Sequence, residues 1–493
     1  MEQLISPTTI ILIIFLYFGL LLGISYFTGK GADNQTFFNA DKKSPWFLVA
    51  FGMIGASLSG VTFISLPGAV GAGGTNMDFS YMQMVFGYLV GYAVIALVLM
   101  PIYYKMGLTT IYTYLDDRFG KYSYLVGSLY FLLSRVVGAS MRLFLVAIVF
   151  QRIVMDSFGI PFYMTVLIAI VLIWIYTFKG GIKTIVITDT LQTLCMLLAV
   201  FLTIGAVGKA LGAGGLIETF TMVKEGAYSQ MFFFEDGWND PNNFFKQFLS
   251  GALIATAMTG LDQDMMQKNL TCKDLPSAQK NVLSFSVVLI FANLLFLALG
   301  ALLYMFAANQ GIDVPSRTDQ LYPLIALNHL NPFIGILFVL GLIAAAYSSA
   351  DSALTSLTTS FYIDILKYDE KERSEKDKRR TRMMVHIAFS VLIFFIILLV
   401  NALDDDAIIN KLFIAAGYTY GPILGLFTFG IVTKRRILDN WTIPVCLLAP
   451  LLTFIIDTNS AEWLGGFKFG STLLGLNALL TFIGLFIISR KNG

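Results

Sequence analysis

The sequence contains few charged residues. Of its 493 residues, 13% are charged and 57% are hydrophobic, whereas a soluble globular protein carries about 25% charged residues. A chain of this length with so little charge cannot form a water-exposed surface, so the composition excludes a soluble protein. The net charge of +2 provides no strong field for nucleic acid, which we do not expect as a partner.

The sequence also has little material for metal or nucleophilic chemistry. Its three cysteines, Cys195, Cys272 and Cys446, are far apart, show no metal-ligand spacing and imply no disulfide framework. His329 and His386 are its two histidines, and no nucleophile motif accompanies them. We therefore expect neither an enzyme active site nor an organic cofactor.

Long apolar tracts take the place of the missing charge. A membrane-spanning helix needs about 20 mostly apolar residues, and windows of that length predict about thirteen spans. The predicted spans are 7–27, 46–68, 79–103, 122–154, 160–178, 185–211, 244–266, 281–308, 332–366, 382–401, 408–432, 440–457 and 469–489. The acidic start of the chain favours a retained first span over a signal peptide. The predicted fold class is an all-α polytopic membrane protein.

The basic residues predict the orientation. Lys and Arg concentrate in the loops that alternate spans place on one side of the membrane, and the positive-inside rule makes that side cytoplasmic. This puts the N-terminus outside and the C-terminus in the cytoplasm. The expected location is the bacterial inner membrane, with the lipid bilayer as a partner.

The second predicted span is interrupted. Its sequence F-G-M-I-G-A-S-L-S-G-V-T-F-I-S-L-P-G places glycines, hydroxyl residues and Pro67 in one apolar tract. Glycine and proline weaken a helix, and carbonyls that are freed inside a membrane must find other partners. Interrupted helices at mid-membrane supply carbonyls to cations and helix ends to substrates. Close helix packing through small residues is an equally good explanation of this tract.

The ninth predicted span carries a stripe of hydroxyls. Ser348, Ser352, Thr355 and Thr359 recur at helical spacing, with Asp351 on the flank of their face. Hard cations prefer several oxygen ligands, so the stripe indicates a site for sodium. Interhelical hydrogen bonding is the alternative, but it explains one or two hydroxyls better than a whole stripe.

Three further charges lie within apolar spans. Asp189 falls inside the sixth span, and an intramembrane carboxylate is costly enough to indicate a functional site unless it pairs with a nearby arginine. Arg135 and Arg142 are two turns apart on the fourth span and share a face. A buried guanidinium needs an anion, which is either an internal carboxylate such as Asp189 or a carboxylate of the substrate.

Acidic and basic residues also meet at the end of the seventh predicted span. Its sequence G-L-D-Q-D-M-M-Q-K places Asp262 and Asp264 beside Lys268 near the cytoplasmic side. Charge pairs at a helix end are one explanation of this cluster. A role at an inner gate is the other.

Four motifs together resemble those of the sodium:solute symporter family. They are S-L-S-G…L-P-G at 57–68, T-I-Y-T-Y-L-D-D-R-F-G at 110–120, G-G-x-K-x-x-x-x-T-D-x-x-Q at 180–192 and A-A-A-Y-S-S-A-D-S at 344–352. The resemblance covers the first eleven predicted spans. In its site residues the chain is most similar to a bacterial sialic acid transporter of that family.

The resemblance implies a LeuT-type fold in a single transmembrane domain over 1–493. Residues 46–211 and 244–432 would form two inverted five-helix repeats, with 1–45 and 433–493 as peripheral helices. The implied function is sodium-coupled symport by alternating access, carried out by a monomeric transport unit. Na+ is then the one metal ion expected.

The resemblance also implies two cation sites. The family's shared sodium site combines carbonyls of the broken span with hydroxyls of the ninth span. The corresponding residues here are Gly55, Leu58, Ala345, Ser348 and Ser349.

A second cation site, found in some members, has Asp189, Ser348 and Ser352 as its counterparts. Asp351 stands where the sialic acid transporter has a serine. Two carboxylates bind one cation more tightly but repel each other without it. Asp351 therefore either strengthens a second sodium site or carries a proton.

The substrate site implied by the resemblance lies beside the broken span. Its expected residues are Ser57, Ser59, Thr62, Phe79, Gln83, Arg142 and Arg135, with Arg142 as the preferred anchor for a carboxylate. This set predicts import of a small polar organic solute such as a carboxylate or an acidic sugar like sialic acid. A neutral sugar, a polyol or an amino acid is the alternative substrate. A transporter-like membrane sensor is the alternative class.

Overall fold

Helices make up nearly all of the structure, a computed structural model that describes residues 6–30, 33–177, 181–235, 237–368, 373–403 and 408–490. The helices are α1 Pro7–Thr28, α2 Asn34–Asn39, α3 Trp46–Ser57, α4 Gly60–Ala69, α5 Tyr81–Val94, α6 Met100–Met106, α7 Thr113–Arg118, α8 Lys121–Ile153, α9 Phe162–Thr177, α10 Ile182–Ala210, α11 Leu216–Glu225, α12 Phe244–Ala255, α13 Gln263–Asn269, α14 Leu275–Gln310, α15 Leu321–Asn328, α16 Pro332–Ser360, α17 Glu375–Leu403, α18 Ile408–Val432, α19 Thr442–Thr458, α20 Ser460–Trp463 and α21 Leu473–Ile487. Two short strands, β1 Arg436–Ile437 and β2 Ser489–Arg490, pair antiparallel. Gly180, which opens one of the predicted motifs, lies outside the described residues.

The helices confirm a polytopic membrane protein. Within the described ranges, ten helices are long and apolar enough to cross a membrane, and α3 with α4 forms one further span that is bent by 54°. Each of the thirteen predicted tracts contains a helix. Because α9 and α12 are shorter than a full span, the number thirteen stays a prediction.

The seventh predicted span is divided, whereas we expected one tract over 244–266. A π-helical turn follows α12, and α13 then begins afresh after Asp262. The carboxylate of Asp262 accepts the backbone N–H groups of Asp264 at 2.9 Å and Met265 at 3.2 Å, which makes it the N-cap of the new helix. The first span of each predicted repeat is therefore broken, as inverted repeats with discontinuous helices require. The repeat boundaries themselves stay a prediction.

Five helices form two closely packed groups. α10 packs along α16 and α3, and α12 packs along α5. The contact between α12 and α5 is backbone against backbone, because a Cβ on Gly87 would lie 2.0 Å from the carbonyl oxygen of Phe248. Small residues therefore serve close helix packing in this part of the fold.

The motif at 110–120 has a structural role. Arg118 donates hydrogen bonds to the carbonyls of Gly430 at 3.0 Å and Thr433 at 2.7 Å, which satisfies carbonyls at the end of α18 that have no partner within the helix. Thr110 donates to the buried carboxylate of Asp364 beyond α16. The motif thus holds the connection between α6 and α8 against two other spans.

Candidate functional site

The break between α3 and α4 is the starting point of the site. α3 ends at Ser57, and the N–H of Leu58 donates to the carbonyl of Ile54 at 2.8 Å. The last carbonyls of a helix have no N–H partner further along the same helix, and inside a membrane water does not replace it. The predicted interruption is confirmed, and its residues lie beside α16 and line the neighbouring cavity.

A glycine on α3 allows close contact with α10. A Cβ on Gly55 would lie 2.2 Å from Oγ1 of Thr193, and that hydroxyl instead accepts the N–H of Gly55 at 3.0 Å. A side chain at this position would push the end of α3 away from α10. The glycine therefore fixes where the carbonyls at the end of α3 lie.

The predicted shared sodium site has the right donor types. Its five residues, Gly55, Leu58, Ala345, Ser348 and Ser349, are buried at the end of α3 and in the middle of α16, two helices that contact each other.

One of these residues indicates a missing ligand. The hydroxyl of Ser349 is buried and has no hydrogen-bond partner among the described residues. A buried hydroxyl without a partner is costly, and carbonyl and hydroxyl oxygens are ligands that suit a hard cation. The residues present therefore fit Na+.

A lysine pairs with Asp189, the carboxylate of the predicted second cation site. The buried carboxylate accepts from Nζ of Lys268 at 2.7 Å and from the hydroxyl of Ser348 at 2.8 Å. From sequence we considered an arginine as the alternative partner of Asp189; the structure shows a lysine from α13. Ser348 belongs to both predicted cation sites, so the two sites are neighbours.

Asp351 and Ser352 bond to other helices. The carboxylate of Asp351 accepts from the hydroxyl of Tyr176 on α9 at 2.7 Å and from the N–H of Ser352 at 2.5 Å. The hydroxyl of Ser352 is 3.2 Å from Oδ2 of Asp264 and 3.0 Å from the carbonyl of Ser348. Ser352 therefore connects α16 with α13.

Arg135 forms an internal ion pair. Its guanidinium contacts the carboxylate of Asp264 directly and lies 3.9 Å from that of Asp262. Asp262 also accepts from the hydroxyl of Tyr420 on α18. Both carboxylates are fully buried at the break between α12 and α13. They are charged groups at a helix end that pair with Arg135, as one of the two explanations from the sequence expected.

A polar cavity opens at the break between α3 and α4. Five of the predicted substrate residues line it, namely Ser57, Ser59, Thr62, Arg135 and Arg142. Asn293 of α14 and Thr259 beyond α12 add further polar groups. Arg142 is only partly buried and makes no hydrogen bond or ion pair with any residue in the described ranges, and its Nε is unpartnered. The cavity thus combines hydroxyls with a guanidinium that forms no ion pair among the described residues.

The structure does not bring Phe79 and Gln83 to this cavity. Phe79 precedes α5, and its N–H donates to the carbonyl of Gln230 at 2.9 Å. The side chain of Gln83 donates to the carbonyl of Asn242 at 2.7 Å and accepts the N–H of Phe233 at 3.1 Å. Both residues hold the long loop before α12 against the start of α5.

Tyrosines of α5 line the cavity instead, and the sequence analysis missed them. Tyr81, Tyr88 and Tyr92 face the site, and the hydroxyls of Tyr81 and Tyr88 are 2.9 Å apart. Their spacing puts them on one face of a helix. That stripe of aromatic hydroxyls was the available signal.

Comparisons with known proteins agree with this geometry. Residues 37–437 match the sequence model described as the sodium:solute symporter family. The chain therefore belongs to the sodium:solute symporter family, and it is a multi-pass membrane transporter with Na+ as its coupling ion.

Two relatives are bacterial. The chain is 25% identical over 435 residues to the sodium/sialic acid symporter NanT of Aliivibrio fischeri, which covers 86% of this chain and 82% of that protein. It is also 25% identical over 427 residues to the sodium/sialic acid symporter SiaT of Proteus mirabilis, with 84% and 82% covered.

A solved structure is similar over the whole chain. A Na+-coupled sialic acid symporter in a substrate-bound, outward-open state superposes with a TM-score of 0.80 at 20% identity, covering 98% of this chain and 99% of that one. This likeness confirms the LeuT-type fold.

Replacing Ser349 tests the shared sodium site. In Ser349→Ala we expect the sodium concentration for the half-maximal thermal-stability response to rise about tenfold, the effect of losing about 1.4 kcal/mol of binding free energy. Thermal unfolding of the purified protein across a sodium titration, at constant ionic strength, measures it.

Ser356→Ala is the matched control, because Ser356 is a buried hydroxyl of the same helix that donates only to the carbonyl of Ala353, at 3.0 Å. An unchanged sodium titration in Ser349→Ala would remove Ser349 from the site.

Proposed function

We propose that the protein uses an inward sodium gradient to import a small organic anion, with sialic acid as the first candidate. The observation that carries the proposal is Arg142, a guanidinium in the cavity wall without an ion pair to the described residues. A carboxylate matches the fork of guanidinium donors and would supply the missing anion. The two relatives named above, both sodium/sialic acid symporters, support the same substrate class.

Arg142 is a better anchor than Arg135. Arg135 already contacts Asp264 and lies near Asp262, so its charge is balanced within the protein. A neutral sugar, a polyol or a zwitterion would place less negative charge on Arg142 and leave a guanidinium incompletely compensated inside the membrane. An anionic solute therefore fits the cavity better than the neutral alternatives.

Sodium and substrate would share one stretch of chain. Leu58, a proposed carbonyl ligand of sodium, lies between Ser57 and Ser59, which both line the cavity. A cation bound between the end of α3 and α16 would hold this stretch in place. Sodium binding would thereby position the hydroxyls that receive the substrate, which is the basis of coupling.

The distribution of basic residues along the sequence supports a membrane location and an orientation. We propose that the protein lies in the bacterial inner membrane, with its N-terminus outside and its C-terminus in the cytoplasm, because the basic loops fall on one side. We also propose a monomeric transport unit, because the residues of the cavity and of both proposed cation sites come from one chain.

Uptake into proteoliposomes tests the driving ion. With radiolabelled N-acetylneuraminate outside, we expect accumulation under an inward sodium gradient and none when potassium replaces sodium. A proton gradient without sodium is the control condition. Accumulation driven by protons alone would contradict sodium coupling.

Arg142→Lys tests the carboxylate anchor. Lysine keeps the charge but loses the fork of donors, so we expect the KM for N-acetylneuraminate uptake to rise about tenfold or more, with the protein amount at the membrane unchanged.

Arg152→Lys is the matched control, since Arg152 is exposed at the far end of the same helix. Equal KM values for the two variants, or stabilisation of the wild-type protein by neutral solutes only, would make Arg142 a structural residue.

A further inference from the structure

The short helix α13 carries two opposite charges on one face. Asp264 and Lys268 are separated by one helical turn, which places them above each other on the same side. They are 0% and 1% exposed. Each points to a group of opposite charge on a different helix.

Asp264 neutralises a guanidinium of the substrate cavity. Its carboxylate contacts Arg135, which lines the cavity, and it accepts the hydroxyl of Ser352 at 3.2 Å. A substrate carboxylate in the cavity is the same chemical group. Arg135 and Arg142 line the same cavity. A substrate carboxylate anchored at Arg142 would therefore also be able to replace Asp264 as the anion of Arg135.

Lys268 neutralises the carboxylate of the second cation site. Its ammonium is 2.7 Å from Oδ2 of Asp189, whose Oδ1 accepts from Ser348 at 2.8 Å. A sodium ion bound by Asp189 and Ser348 would replace an ammonium of equal charge. Lys268 therefore holds a place that the coupling cation is able to take.

We propose that the carboxylate of Asp264 occupies the place of the substrate carboxylate and that the ammonium of Lys268 occupies the place of the coupling cation. The helix α13 leaves its position only when both ligands have replaced these two groups. The proposal rests on the proposed function, sodium-driven import of an organic anion. According to this proposal, these two residues make the movement of α13 depend on binding of both the substrate and the coupling cation.

The physical reason lies in the cost of unpaired buried charge. If α13 moved without ligands, Arg135 would lose its direct contact with Asp264, and Asp189 would lose its ion pair with Lys268. Breaking a buried ion pair in this way is strongly unfavourable. Sodium alone relieves only Asp189, and an anion alone relieves only Arg135. With both bound, neither group is left unpaired, so each ligand favours the binding of the other.

The surrounding charges favour the exchange at Asp189. Asp262 and Asp351 are both buried, and Asp351 lies close enough to interact with Asp189 and Lys268. Asp262 accepts from Tyr420 and remains 3.9 Å from Arg135, so it does not replace the direct contact that Asp264 makes. Because carboxylates are in excess here, the charge balance favours binding of an added cation.

A native cysteine reports on the position of α13. Cys272 follows the helix closely and is fully buried. Its carbonyl accepts from the hydroxyl of Tyr104 at 3.1 Å, and the neighbouring carbonyl of Thr271 accepts the N–H of Ser44 at 3.1 Å. Movement of α13 would break this packing and expose the thiol.

The experiment measures the rate at which N-ethylmaleimide labels Cys272 in full-length protein bearing Cys195→Ser and Cys446→Ser. Rates are compared in potassium, in sodium, with N-acetylneuraminate, and with sodium and N-acetylneuraminate together. We expect the two ligands together to raise the rate about fivefold or more above either alone, the lower end of typical coupling between sites. If the ion pairs are only structural, ligands will leave the rate unchanged or lower it, which would overturn the proposal.

Substitutions of Lys268 test whether the change in labelling rate depends on its charge. Lys268→Met is expected to raise the rate without ligands and to reduce the further effect of sodium, whereas Lys268→Arg, which keeps the charge, is expected to restore the parent pattern. Lys280→Met, at an exposed lysine nearby, is the matched control. Equal behaviour of Lys268→Met and Lys280→Met would also overturn the proposal.

The other half of the helix provides an independent test if Lys268→Met does not fold. Asp264→Asn should raise the rate and reduce the further effect of N-acetylneuraminate, and Asp264→Glu should restore it. If Asp264→Asn behaves like the parent, the proposal is wrong.

Uptake by the parent protein separates this proposal from the proposed function. If sodium drives uptake but no ligand changes the labelling rate, the proposal for Asp264 and Lys268 is wrong and the proposed function is not affected. A protein that takes up no N-acetylneuraminate contradicts the proposed substrate. Labelling that rises to its full rate with sodium alone contradicts the requirement for both ligands.

Discussion

The end of α3 is the constraint on which the site depends. A helix that stops inside the membrane leaves carbonyls without partners, and no water is present to satisfy them. The contact of Gly55 with Thr193 fixes this helix end against α10, and α16 lies next to it with the unpartnered hydroxyl of Ser349. The same break forms one wall of the cavity. The proposed cation site and the proposed substrate cavity thus share one irregular stretch of chain.

The sequence predicted this break because its signals are local. Glycine, hydroxyl residues and Pro67 interrupt an apolar tract within a few residues, and the effect of glycine and proline on a helix does not depend on distant parts of the chain. The break between α12 and α13 was missed because its local signal is weak. Its signal is one capping aspartate, Asp262, within a window that is otherwise long and apolar enough to read as continuous.

Partners distant in sequence were harder to predict. Asp189 and Lys268 were each noticed, but their pairing depends on how α13 packs beneath α10, which no local pattern contains. Phe79 and Gln83 were placed in the site by the resemblance to the sialic acid transporter. The structure shows α5 beginning at Tyr81, so both lie at the start of that helix, beside the loop rather than in the cavity.

The cationic side chains at the site differ in whether they are paired within the protein. Two cations, Arg135 and Lys268, are balanced within the protein, whereas Arg142 faces the cavity without an ion pair to the described residues. Buried charges that are paired hold helices together, and a charge that lacks a partner selects what enters. This division explains why one arginine of α8 is structural in the observed state while the other is free for a solute.

The most direct test of the account is the dependence of substrate binding on sodium. Calorimetric titration of the purified protein with N-acetylneuraminate, in sodium and in potassium at equal ionic strength, measures the coupling free energy without transport. Because Leu58 lies between Ser57 and Ser59, we expect binding in sodium to be tighter by about 5- to 150-fold, the usual range for coupled sites. Equal affinities in the two salts would contradict the account.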